Sequence, residues 1–261
     1  MLIDLNCDLG ESFGPYTLGN DEEIMPYVTS VNVACGLHAG DPMVLRRTLR
    51  AARRLGLAVG AHPGFPDLQG FGRRNMDLSP QEVENYVLWQ IGAVWGLAQA
   101  EGVVLQHVKP HGALYNLAAR DGALAQAIAR AVASVDRSLI LMGPAGSQLV
   151  QAGLEAGLAV AAEAFADRGY RADGSLIPRG QPGALVTDAE EVAANAVQIA
   201  VQGKIRVRDG SGAVIPLRAQ TLCVHGDTPG AVQLVRSLRQ RLEAHGVHVA
   251  PLRDVLSAGA V

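Results

Sequence analysis

Seven short extended segments alternate with helical patterns along nearly the whole chain, and this rhythm constrains the fold more than any other feature. Repeated strand–helix units build a parallel sheet, because each helix carries the chain back to begin the next strand in the same direction. The strand candidates are Ile3 to Asp8, Ser30 to Cys35, Leu57 to Ala61, Val104 to Lys109, Ser138 to Met142, Leu158 to Ala162 and Gln220 to His225. Helical patterns lie between them at Asp41 to Leu55, Ser79 to Glu101, Asp121 to Val135, Ala145 to Glu155, Asp188 to Val201 and Thr228 to Ala244. Asp41-Pro42 and Ser79-Pro80 each set an N-cap residue before a proline at the first helical position, and Ser79 to Glu82 also spells a capping box. Ile205 to Leu217 reads as two short strands around a Gly-rich turn, a hairpin placed before the last strand. No tandem repeat or Ser/Pro linker divides the chain, so residues 1–261 are expected to form a single barrel domain.

Side-chain parity decides which parallel sheet this is. Asp4, Asn6 and Asp8 share one face of the first strand while Ile3, Leu5, Cys7 and Leu9 share the other. His107, Lys109 and His111 repeat the pattern at i, i+2 and i+4. An open sheet covered by helices on both sides requires apolar residues on each face. One polar face predicts strands closed into a β/α barrel with a polar mouth, here with seven strands.

Composition removes several classes of function. With 22 basic and 25 acidic side chains and a net charge of −3, the chain lacks the clustered positive charge that phosphate backbones demand, so no nucleic-acid partner is expected. Three cysteines without a CxxC pair exclude a zinc ribbon and suit a reducing compartment. No apolar run reaches membrane-span length and the N-terminus lacks a signal-peptide pattern, so a cytoplasmic location is expected. P-loop, GxSxG, HExxH and GxGxxG motifs are all absent.

Five of the seven histidines, His38, His62, His107, His111 and His225, fall at or just after predicted strand ends, where a parallel barrel opens its active site. Asp8, Lys109, Glu163, Asp167, Arg168 and Asp227 join them at the same level, whereas His245 and His248 lie apart in the C-terminal polar region. Ionisable groups are costly to bury unless used, so their convergence favours function over structural accident. Asp8, His38, His62, Lys109, His111, Glu163 and Asp227 are therefore the candidate catalytic residues, and Asn6, His107, Arg73, Arg168 and His225 the candidate substrate- and phosphate-binding residues. Asp8, His38 and His62 would be the ligands if a divalent metal is held. The loop Gly64 to Met76, with two Phe and two Arg, is either a lid or a surface excursion, and Gly143 to Gln148 is either a helix start that offers NH groups to a phosphate or, the favoured reading, an ordinary strand-to-helix turn.

The motifs DLNCDLGESFG (4–14), VNVACGLHAGDP (31–42), GAHPGFPDLQGFGRR (60–74), VKPHGALYN (108–116), EAFADRGY (163–170) and CVHGD (223–227) resemble those of the 5-oxoprolinase A-subunit family, also called the LamB/YcsF family. That resemblance implies a seven-stranded parallel β/α barrel of the glycoside hydrolase/deacetylase type. It also implies ATP-dependent hydrolysis of 5-oxo-L-proline (pyroglutamate) to L-glutamate, with ADP and phosphate as products, in a complex with the B and C subunits. ATP, with Mg2+, would be the co-substrate. A lactam carbonyl is a poor electrophile, and such chemistry needs cations for phosphoryl charge and a base for water. Lys109 is the candidate phosphate contact, helped by Arg168 and by Arg73 or Arg74, and Asp8 or a neighbouring histidine, His62 or His111 next in line, is the candidate base. Two alternatives stay open on these residues: a metal-dependent amide or ester hydrolase or deacetylase, and a non-catalytic subunit that binds a small ligand.

Overall fold

The computed structural model of the protein describes residues 1–224 and 230–259. In chain order its elements are β1 (Leu2–Leu9), α1 (Asp21–Ile24), a 3-10 turn at Met25–Tyr27, β2 (Ser30–Ala34), α2 (Pro42–Arg54), β3 (Ala58–His62), α3 (Pro80–Ala100), β4 (Leu105–Val108), α4 (Gly112–Ala118), α5 (Gly122–Val135) and β5 (Ile140–Pro144). They continue as α6 (Gln148–Glu155), β6 (Ala159–Phe165), α7 (Ala189–Gln202), β7 (Lys204–Arg206), β8 (Val214–Pro216), β9 (Thr221–Val224), α8 (Ala231–Ala244), β10 (His248–Val249) and α9 (Leu252–Ala258).

Seven parallel strands, β1, β2, β3, β4, β5, β6 and β9, hydrogen-bond in that order, and β9 returns to pair with β1 from Asp4 to Cys7, closing the barrel. Each of the seven extended segments read from the sequence lies on one of these strands. β7 and β8 pair antiparallel outside the ring, with Ile205 opposite Ile215. β10 adds a two-residue parallel contact at the start of β1, and α9 behind it sets Leu252 against Ile140, Met142 and Ala161.

Local chemistry explains where the helices begin. Asp41 accepts from the Met43 and Val44 amides, Asp121 from Ala123 and Leu124, Ser147 from Val150 and Asp188 from Glu191, each satisfying donors that a helix start leaves open. Ser79 and Glu82 close a reciprocal capping box at α3. α1, α4 and α9 lack a side-chain cap, and none of the three is signalled in the sequence.

The parity argument holds on β1: Ile3, Leu5, Cys7 and Leu9 join the main hydrophobic core, while Asp4 and Asn6 are fully buried polar residues. Polarity therefore runs through the barrel axis rather than stopping at its mouth. Asp4 accepts from Thr29, Ser30 and Thr221, and the Asn6 amide donates to Glu163 and Thr221. Asn32 donates to Asn6 and Asp8 and accepts from His107 Nε2 at 2.7 Å. Such a network is stabilising only when its members are satisfied together.

Gly60 provides the space for this arrangement, because a Cβ there would sit 2.1 Å from the His107 ring. Gly60→Ala must push the ring aside and break its bond to Asn32, at an expected cost of about 2–5 kcal/mol from overpacking and an unpaired buried acceptor. Gly92→Ala on α3, where a Cβ meets nothing within 4 Å, is the control and is expected to be neutral or slightly stabilising. Urea unfolding of both variants measures the difference; equal midpoints would sink this account of Gly60.

Candidate active site at the barrel mouth

At the carboxyl ends of β1, β4 and β6, a buried lysine meets two carboxylates. Lys109 Nζ lies 2.9 Å from Asp8 Oδ1 and 2.9 Å from Glu163 Oε1, and also bonds the Cys223 sulfur at 3.1 Å and Asn6 Oδ1 at 3.3 Å. Burial alone would lower the pKa of Lys109, but Asp8, Cys223 and Glu163 outweigh it and hold the ammonium well above the ordinary lysine range. Lys109 is only 2% exposed and enclosed by these groups. In this arrangement the cation neutralises two carboxylates within the barrel.

Of the two carboxylates, Asp8 is the one that also reaches the mouth, with 16% of its side chain exposed against 0% for Glu163. Glu163 is held from below by Asn6 and from the side by the Tyr115 hydroxyl, which donates at 2.6 Å. Burial and the adjacent Glu163 raise the Tyr115 pKa well above the ordinary phenol, which keeps that proton in place.

The histidines form a second group beside Asp8. His62 Nε2 is 3.4 Å from Asp8 Oδ2, and His111 Nδ1 is 3.0 Å from His62 Nε2. His38 stacks on His111 with ring centroids 3.8 Å apart, and Glu11 Oε1 lies 3.6 Å from His38 Nε2 and 3.7 Å from His111 Nδ1. Glu11, His38, His62 and His111 each offer a ligand atom, all within 4.8 Å of one another, a cluster able to hold a metal ion. Compared with the expected set of Asp8, His38 and His62, Glu11 and His111 complete the cluster and Asp8 stands beside it. Burial first, then neighbouring His62, lowers the pKa of His38 well below its ordinary value; burial and His38 do the same to His111.

The loop from Gly64 to Met76 folds over these rings rather than away from them. Phe71 meets His38 and His111 edge-on, its carbonyl accepts from His111 Nε2 at 2.8 Å, and the Arg73 guanidinium lies over its ring. Arg74 instead pairs with Asp67, and Arg168 donates to the carbonyls of Ala184 and Ile177, which ties its own loop together. His107 belongs to the polar network beneath the mouth, while burial and Lys109 lower its pKa to about 3. His225 and Asp227 lie outside the described residues.

Sequence reasoning passed over Glu11, Tyr115, Asn32 and Cys223. Glu11 follows Asp8 by three residues at the exit of β1, and Tyr115 follows His111 by four, one helical turn on, so spacing held a signal for both.

Comparison with known proteins agrees with this architecture. The model of the LamB/YcsF family matches residues 3–257. The chain belongs to the LamB/YcsF family. A relative from Symbiobacterium thermophilum, named as the A subunit of 5-oxoprolinase, is 58% identical over 253 residues, covering 97% of this chain and 96% of the relative. Another of that name from Pyrococcus abyssi is 51% identical over 256 residues, covering 98% and 100%. The crystal structure of a lactam utilization protein from Thermus thermophilus superposes with a TM-score of 0.90 at 48% identity, over 96% of this chain and 99% of that one. Within this LamB/YcsF barrel, no helix among the described residues is long and apolar enough to cross a membrane.

Proposed function

We propose that this chain is the A subunit of an ATP-dependent 5-oxoprolinase, opening the lactam of 5-oxo-L-proline to L-glutamate as ATP becomes ADP and phosphate. Full-length similarity to proteins named as 5-oxoprolinase A subunits carries the reading, and the Asp8 carboxylate at the mouth, backed by the buried Lys109, supplies chemistry that suits it. Lactam hydrolysis requires water to add to the carbonyl carbon, the ring C–N bond to break and the leaving nitrogen to gain a proton. Phosphorylation of the amide oxygen by ATP, brought with Mg2+, releases ADP and makes that carbon electrophilic, and a second water then cleaves the acyl phosphate left after ring opening to glutamate and phosphate.

Asp8 is the base for the attacking water, since it alone of the two carboxylates joins the buried Lys109 to the solvent-facing mouth. Lys109 pairs with the Asp8 carboxylate, and Glu163, fixed by Asn6 and Tyr115, balances the ammonium without reaching the substrate. Asp8, once it has taken the proton from that water, is placed to return it to the nitrogen. The names of its relatives fit work in a complex, here with the B and C subunits.

Glutamate and phosphate release from 5-oxoproline and ATP tests this, using the chain alone and then with the two partner subunits. Turnover is expected only in the mixture, and Asp8→Asn is expected to lower it about 10²–10⁴-fold with the fold intact. A verified three-subunit complex that releases no glutamate would overturn the assignment.

A further inference from the structure

We propose that Glu11, His38, His62 and His111 bind one divalent transition-metal ion at the barrel mouth. The inference is independent of the lactam reading and rests on how the four side chains use their hydrogens. His62 Nδ1 is 2.7 Å from the Lys109 carbonyl, which can only accept, so the ring donates there and leaves Nε2 as a lone pair. His111 Nε2 meets the Phe71 carbonyl at 2.8 Å in the same way, leaving Nδ1 as a lone pair. These two lone pairs face each other at 3.0 Å, a repulsive contact unless a cation sits between or beside them.

His38 adds a second, independent observation. It is 0% exposed, and neither ring nitrogen has a hydrogen-bond partner, an expensive state for a buried polar ring. Its Nε2 and the His111 Nδ1 both turn toward Glu11 Oε1, at 3.6 and 3.7 Å. Ligand atoms on a tetrahedral ion with bonds of about 2.0–2.1 Å stand about 3.3 Å apart; three of the pairs, at 3.0, 3.6 and 3.7 Å, bracket that spacing, and all four atoms lie within 4.8 Å of one another. Backbone carbonyls that fix the tautomer of a metal-bound histidine are the usual outer support, and Lys109 and Phe71 provide two.

The surroundings keep room for these rings. A Cβ at Gly64 would lie 2.6 Å from His38 Nδ1, and one at Gly72 would lie 2.8 Å from both His38 and His111. Phe71, whose carbonyl holds His111, has a φ of 54°, a left-handed conformation that costs a non-glycine residue about 1–3 kcal/mol. Three imidazoles and one carboxylate select Zn2+, Co2+, Ni2+, Fe2+ or Mn2+ over Mg2+ or Ca2+, which prefer oxygen-only shells.

Equilibrium dialysis of the metal-stripped chain against Co2+ or Zn2+ at neutral pH is the direct test, with the visible d–d absorption of Co2+ reporting the ligand set. One equivalent per chain is expected, with binding at least about tenfold weaker in His38→Ala and in Glu11→Gln. Glu11→Gln preserves side-chain size, and circular dichroism of both variants separates loss of a ligand from loss of fold. A substoichiometric uptake, binding unchanged in both folded variants, or imidazolium 15N shifts for His62 or His111 in protein saturated with Co2+ or Zn2+ would each overturn the site.

Discussion

Replacing Lys109 with Met is expected to destabilise the fold by about 3–5 kcal/mol, because the two carboxylates it neutralises are left uncompensated in the barrel. Turnover of the assembled enzyme is expected to fall about 10²–10³-fold or more, since the charge that tunes Asp8 disappears with the ammonium. The two effects separate in the double variant Lys109→Met/Glu163→Gln. Removing the buried negative charge along with the positive one should restore part of the lost stability, while Asp8 remains without its cation and activity stays low. Urea unfolding and glutamate release, measured on the same preparations, check both arms. A single variant as stable as the parent would show that the buried ion network has been misread.

The second large effect is acid lability of the metal-free chain. His38, His107 and His111 all have folded pKa values lowered chiefly by burial, so the unfolded chain binds more protons than the folded one below about pH 6.5. The stability these neutral rings contribute is fully present above that pH and is lost as pH falls towards their folded values. Asp4 works in the opposite sense: burial raises its pKa from 3.8 to about 6, so the folded state holds its proton between those values and gains as pH falls through them. The three rings gain protons on unfolding against the one that Asp4 releases, so stability falls as pH drops below about 6.5. Urea midpoints at pH 8, 6 and 5 should therefore drop steeply below 6, and a flat profile would contradict the burial assigned to these histidines.

The seven strand positions and the caps at Asp41 and Ser79 were legible in the residues, because each rests on interactions within a few positions, and the closed barrel was inferred from the one polar face that this local parity gives. Parity on β1 needs only alternate side chains, and a cap needs only a residue and the amides that follow it. α4 was not legible, since the extended path through Lys109 and His111 continues to bond the chain after β3 beyond the last strand residue, and Gly112 opens the helix without a side-chain cap. The motif VKPHGALYN therefore looks like a strand running to its end.

Within the site, sequence by itself determined which ionisable residues leave the strands at the mouth, including Asp8, His38, His62, Lys109, His111 and Glu163. Only the tertiary structure decided their pairings. Lys109 is enclosed by Asp8 and Glu163, residues separated from it by 101 and 54 positions, and Glu11 enters a histidine cluster drawn from three different strand ends. The reason is geometric: parity and capping are local, whereas which lone pair meets which proton depends on barrel closure and on rings packed over Gly60, Gly64 and Gly72, where a single Cβ would change every distance.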